Sequence, residues 1–250
     1  MVVAAFLAAA ACGGHSARRA VGHTPSPTGV KTTSTSVPAP LPTEPALPPA
    51  PGPDAVPVSV GPLAPVFNRI ATAQPVVFIT IDDGWVRDNR VIDLVRSNQL
   101  PVTVFLLNSA ARGDVGYFRA LQAAGATIED HTLTHPYLNR LPEPAQEREI
   151  CGAAAQDAAL FGARPTLVRP PYGAMNNATR VAAHHCGLRA VVQWDATMDG
   201  RQFVVRGGRL QPGDIVILHF RPTLFADLTA LLDRIHQSGL TIGHLESYLG

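Results

Sequence analysis

An α/β fold built on parallel strands is the class that three features of this sequence predict. Short apolar runs rich in β-branched residues recur along the chain, as expected of strands buried on both faces. Between them lie segments with apolar residues at helical spacing, several ending on Gly125, Gly162 or Gly187, the residue type that closes a helix in a left-handed conformation. Strands alternating with helices imply right-handed crossovers, whether in a barrel or a doubly wound sheet.

Residues 76–81 form the first such strand, Val76 to Ile81 without interruption. Residues 87–98 come next as a helix, with Val91, Ile92, Leu94 and Val95 on one face. Residues 102–107 are the second strand, 117–124 a helix, 127–129 a third strand and 143–161 a helix closed by Gly162. Residues 166–168 are the fourth strand and 176–186 a helix closed by Gly187. The series ends with strands at 189–193 and 215–218 and a helix at 224–237. About six or seven strands result, and no internal repeat is evident.

Composition sets the domain limits within the 250 residues. From Leu7 to Pro65 there is no aromatic residue, yet that stretch holds 13 of the chain's 23 prolines. Such a segment cannot bury enough apolar surface to offset its ordering entropy, so residues 16–65 are expected to be a disordered linker. The packed domain is expected over 66–250, long enough for a sizeable core. A formal net charge of +1 without a basic cluster gives no support to nucleic-acid binding.

Residues 1–15 read as an export segment. Met1 to Cys12 is apolar and alanine-rich, too short to span a bilayer but adequate for a signal core. Its end, Ala9-Ala10-Ala11-Cys12, resembles a lipobox whose cysteine becomes lipidated. Lipoprotein on the outer membrane face, secreted protein with a cleaved signal, and cytoplasmic protein with an incidental alanine run are the three readings. Export would leave Cys151 and Cys186 as an even pair in an oxidising compartment, either bridged or as two buried thiols.

Chemistry-bearing residues gather just after the strands. Thr80-Ile81-Asp82-Asp83-Gly84, His131-Thr132-Leu133-Thr134-His135, Arg169-Pro170-Pro171-Tyr172-Gly173, Trp194-Asp195 with Asp199, and Leu218-His219 each close a strand segment. In parallel α/β barrels the C-terminal strand ends carry the active site. Taken singly, Asp82-Asp83 could be a turn or helix cap. Two imidazoles four residues apart can hold a divalent metal, and Thr-Leu-Thr with Pro136 points to a short turn there. Together the five segments describe a mononuclear metal hydrolase site.

In this order and spacing the segments resemble the polysaccharide deacetylase family, the nodulation chitooligosaccharide deacetylase homology domain or carbohydrate esterase family 4. The resemblance runs from Pro75 to Tyr248. It implies a distorted, incomplete (β/α) barrel and a metal-dependent hydrolase that removes N-acetyl groups from a carbohydrate polymer such as peptidoglycan. It further implies that Asp83, His131 and His135 bind one divalent ion, most often Zn2+, with Co2+ an alternative. Asp82 would be the general base and His219 the general acid. Arg169 would pair with Asp82, and Asp199 would support the Arg169 and His219 side. The Tyr172 backbone N–H would stabilise the oxyanion, and Leu218 and Trp194 would wall the acetyl methyl. An acetylated glycan is the expected partner, and the chain is expected to be a monomer.

Two departures bear on substrate. The family pattern has Trp after the Asp at 199, where this chain has Gly200. Residues 200–211 are also too few for the usual long helix. An O-acetyl esterase or non-sugar amidase on the same scaffold, and an inactive glycan-binding module, therefore stand as alternatives.

Overall fold

A computed structural model describes residues 61–249 and, before them, 50, 52 and 53. Residues 1–15, Cys12 among them, and most of residues 16–65, on which the export and linker expectations rest, lie outside the described residues. Ala64 is buried and its backbone N–H donates to the Arg180 carbonyl, and before it Ala50 packs against the inner core and the Gly52 carbonyl accepts from Gln74 Nε2.

Ten strands occur among the described residues. They are β1 (Val66–Phe67), β2 (Val76–Asp83), β3 (Thr103–Leu106), β4 (Thr127–Asp130), β5 (Leu167–Val168), β6 (Ala190–Val192), β7 (Ala196–Asp199), β8 (Gln202–Val205), β9 (Ile215–His219) and β10 (Thr241–Ile242). The sheet order is β1-β6-β5-β4-β3-β2-β9-β7-β8, with β10 pairing onto the start of β2. All pairs are parallel except β7 with β8. The result is a distorted, curled half-barrel with more strands than the six or seven expected. The extra ones are two-residue strands and one hairpin, too short to show a periodicity.

Helices α1 (Asn89–Ser97), α2 (Asn108–Ala111), α3 (Val115–Ala123), α4 (Glu143–Phe161), α5 (Asn177–His185), α6 (Leu224–Gln237) and α7 (Leu245–Tyr248) complete the fold. Their starts reflect local chemistry. The Asp88 and Asp114 carboxylates accept from Arg90 N–H and Tyr117 N–H, and Asn176 forms a capping box with Thr179. Gly162, at φ +77°, closes α4.

Strand alternation divides the core into layers. Val77, Ile79, Ile81, Val216 and Leu218 face outward onto α1, α3 and α6. Phe78, Phe105, Leu167, Val192 and Ile215 face into the curl with Tyr248 and Leu249. Val168 and Val191 pack outward with α4 and α5. A disulfide joins Cys151 in α4 to Cys186 at the end of α5.

Where a long helix was not expected, residues 200–211 fold back as β8. Gly200 and Arg201, at φ +57° and +67°, make the two-residue turn of a β-hairpin. Both of their N–H groups donate to the buried Asp227 carboxylate, at 3.0 and 2.6 Å.

Candidate metal centre and active site

Adjacent residues on a strand point to opposite faces. Yet Asp82 Oδ2 and Asp83 Oδ1 stand 3.9 and 3.6 Å from the same atom, His131 Nε2. Asp83 escapes the alternation by a φ of +80° at the last residue of β2. Only glycine fits next: a Cβ on Gly84 would lie 2.7 Å from Leu106 Cδ1 and 2.9 Å from Phe118 Cζ.

His131 comes directly after β4, and its Nδ1 is 2.7 Å from the Arg169 carbonyl oxygen. That contact sets Nδ1 as the protonated nitrogen and leaves Nε2 with its lone pair toward Asp83. Residues 131–135 form a turn and no helix. Thr132 and His135, at φ +71° and +66°, swing the second imidazole back onto the first. Glu149 of α4 holds this turn, accepting from the N–H groups of Leu133 and Thr134 and from Thr134 Oγ1. His135 Nδ1 in turn meets the Tyr172 hydroxyl at 3.1 Å.

Three donor atoms converge as a result. Nε2 of His131 and of His135 are 3.2 Å apart, and Asp83 Oδ1 lies 3.6 and 3.2 Å from them. Donors about 2.1 Å from one ion in tetrahedral directions stand about 3.4 Å from each other, so the three fit a single divalent cation. Asp83 Oδ1 is buried without a hydrogen-bond partner, the state of an atom kept for a ligand. Burial alone would raise the Asp83 carboxyl, but the two imidazoles, when they carry protons in place of a cation, outweigh it and hold it well below the usual carboxylate range.

Asp82 is held from the other side. Arg169, fully buried inside the curl, donates Nη1 to Asp82 Oδ1 and to Thr80 Oγ1, both at 2.7 Å. Its Nε and Nη2 donate to the carbonyls of Val192 and Gln193, and its guanidinium lies 4.2 Å over the Phe105 ring. With Oδ1 engaged, Asp82 keeps Oδ2 directed at the triad.

The polysaccharide deacetylase family model matches residues 69–191. An uncharacterized protein of Streptomyces coelicolor is 42% identical over 194 residues, covering 75% of this chain and 78% of that one. This chain belongs to the polysaccharide deacetylase family. The chitooligosaccharide deacetylase of Sinorhizobium fredii is 28% identical over 201 residues, covering 71% of this chain and 93% of the relative. Among solved structures, a family 4 carbohydrate esterase from Streptomyces lividans in complex with acetate superimposes with a TM-score of 0.56 at 28% identity. It covers 68% of this chain and 92% of that one.

Against the expectations for such a family member, the structure places His219 at the end of β9, in register with Asp82. Its Nδ1 is buried and has no hydrogen-bond partner. Asp199 does not orient it: that carboxylate pairs with Arg221 Nη1, and Arg169 is filled by other acceptors. Asp195 is likewise apart from the centre. It sits beside Asp214 and Arg69, its carboxyl pushed up to about 6 by burial and by the Asp214 charge.

Leu218 cannot wall an acetyl group, because it has no exposed surface and packs outward with Ile81 and Phe220. Alternation puts Ile217 on the His219 face instead. Trp194 is half-buried beside Gly173 and lies 5.8 Å from the Arg169 guanidinium, at the edge of the site. Three contributors were not anticipated. Thr80 was readable in principle, since residues i and i+2 of a strand share a face with Asp82. Nothing local marks Glu149, and the Tyr172 hydroxyl was hidden behind an expectation about its backbone.

Proposed function

We propose that this chain is a metal-dependent deacetylase that releases acetate from an N-acetylated glycan, peptidoglycan or another N-acetylglucosamine-containing polymer. One observation carries the reading. The Asp83, His131 and His135 donors meet at a point that Asp82 Oδ2 faces, while His219 stands in register with Asp82 on the neighbouring strand. The Sinorhizobium relative, named a chitooligosaccharide deacetylase, supports the substrate class.

Amide hydrolysis needs an activated water, stabilisation of the oxyanion and a proton for the departing nitrogen. A divalent cation, zinc by the chemistry of a two-imidazole, one-carboxylate set, supplies Lewis acidity and lowers the pKa of water. Asp82 Oδ2 takes the water's proton, positioned for it by Arg169. His219 delivers the proton that lets the amine leave. The Tyr172 backbone N–H is a donor to the oxyanion, a contribution of about 3 kcal/mol. Trp194 borders the acyl side.

The test is acetate release by the full chain from chitopentaose and from purified peptidoglycan, before and after zinc is returned to chelator-treated protein. Zinc-restored release with stoichiometric new amine is expected. Acetate without amine would turn the reading to an ester, and no acetate from either glycan with zinc bound would overturn it. We further propose that the protein is exported and acts as a monomer, held to the membrane through Cys12 by a linker that gives reach. Cys12→Ala should then move it from the membrane to the soluble fraction.

A further inference from the structure

Among the described residues, five large hydrophobic side chains remain exposed, and the aromatic ones are Trp85, Tyr137 and Tyr172. All three sit on segments leaving the C-terminal ends of β2, β4 and β5, on the rim where β2 and β4 carry the metal donors. The tyrosines are already partnered. Their rings stack 4.1 Å apart with 12° between planes, Arg140 covers Tyr137, and Tyr172 is bonded to His135.

Trp85 differs from them. It is 55% exposed, and its indole makes no hydrogen bond, ring contact or cation contact with the described residues. The backbone on either side of it is held in place. Gly84 before it is pressed against Leu106 and Phe118, and Val86 after it donates its N–H to the Phe220 carbonyl at 3.3 Å. A solvent-facing indole leaves apolar surface in water unless something covers it.

Trp85 follows Asp83 by two residues at the end of β2, and the tyrosine pair leaves β4 and β5, two and three strands away in the sheet order. An acetyl group bound at the triad is served by Tyr172, which touches His135. A sugar ring linked to the acetylated one lies beyond the triad, and the C–H face of a sugar is the apolar, flat partner that an exposed indole accepts. Resting on the deacetylase reading, we infer that Trp85 stacks against the sugar ring adjoining the acetylated one.

The experiment compares wild type, Trp85→Ala and Trp85→Phe as full-length, zinc-loaded chains on chitohexaose and on p-nitrophenyl acetate. Covering about half of the exposed ring corresponds to roughly tenfold in affinity. Trp85→Ala should therefore raise KM for the hexaose about tenfold, leaving kcat, zinc affinity and the aryl-ester reaction unchanged, and Trp85→Phe should recover most of the loss. A hexaose KM within about twofold of wild type, or equal losses on both substrates, would overturn the inference. Should wild type release no acetate, the deacetylase reading fails separately. Calorimetric titration of hexaose into the metal-stripped chain then decides: a Kd about tenfold weaker in Trp85→Ala upholds the stacking role, and an unchanged Kd or no binding refutes it.

Discussion

Asp82 and His219 are partners in the parallel ladder of β2 and β9, so their side chains rise from one face of neighbouring strands, about 5 Å apart at the backbone. The metal donors lie on the opposite side of Asp82, toward β4, with His131 Nε2 3.9 Å from Asp82 Oδ2. Asp82 thus stands between the cation site and His219. On the proposed roles, this order would separate the two proton transfers: one at the water beside the triad, the other at the nitrogen leaving toward β9.

The separation predicts different substrate dependence for the two groups. Asp82→Asn should keep a full complement of zinc and lose at least about 100-fold in kcat on amide and ester alike. His219→Ala should lose a similar factor on the glycan amide but much less on p-nitrophenyl acetate, whose phenolate departs without a proton. Metal content with steady-state rates on both substrates checks this. Equal losses on the two substrates for His219→Ala would place the acid elsewhere.

Metal affinity should track the contacts that aim the imidazoles. His131→Ala should abolish zinc binding and activity. Tyr172→Phe removes only the hydroxyl 3.1 Å from His135 Nδ1, and should weaken zinc by about tenfold or more. Competition against a chromophoric chelator reads both. Wild-type affinity in Tyr172→Phe would mean that the hydroxyl contact does not orient His135.

Strand ends are the legible part of this molecule, because buried parallel strands announce themselves by uninterrupted β-branched runs, and the residues just past each run then stand on the rim. That logic locates Asp82, Asp83, His131, Arg169 and His219. It fails where backbone geometry departs from the local pattern. The positive φ at Asp83, Thr132 and His135 has no signature in residue type, so convergence of the triad cannot be derived from spacing. The expectation for Leu218 fails because alternation along β9 turns its side chain away from the His219 face. Gly200 looks like a missing wall in the sequence, yet φ +57° in a hairpin turn held by Asp227 excludes a comfortable aromatic there. Pairing of Asp199 with Arg221 depends on that same hairpin.

The Cys151–Cys186 bridge spans 35 residues and ties α4, which holds the triad turn through Glu149, to α5. Closing a loop of that length stabilises by about 4 kcal/mol in the chain-entropy account. Replacing both cysteines by Ser should lower Tm by roughly 10 °C at unchanged zinc stoichiometry. Calorimetry of the oxidised wild type and the double variant measures the difference, and a shift of under a few degrees would contradict a bridge.

Behind the triad turn, Asp157 is buried with Oδ1 on Asn108 Nδ2 at 3.0 Å and Oδ2 without a partner. Burial pushes its carboxyl up to about 7 from an ordinary 3.8, only partly opposed by the Asn108 hydrogen bond. With the folded value above the unfolded one, its stabilising contribution is complete below about pH 4 and is lost as pH rises through about 7. Stability should therefore fall across that window, and Tm by several degrees between about pH 5 and about pH 8. Asp195 and Glu129, pushed up to about 6 and about 8, add to the same slope, so the informative comparison is between variants. Asp157→Asn keeps an acceptor for Asn108 but cannot ionise, and should flatten the slope while raising Tm at the alkaline end. An identical slope in wild type and Asp157→Asn would show that this carboxyl is already ionised throughout, and that the cost of its burial is met by a partner such as a bound water.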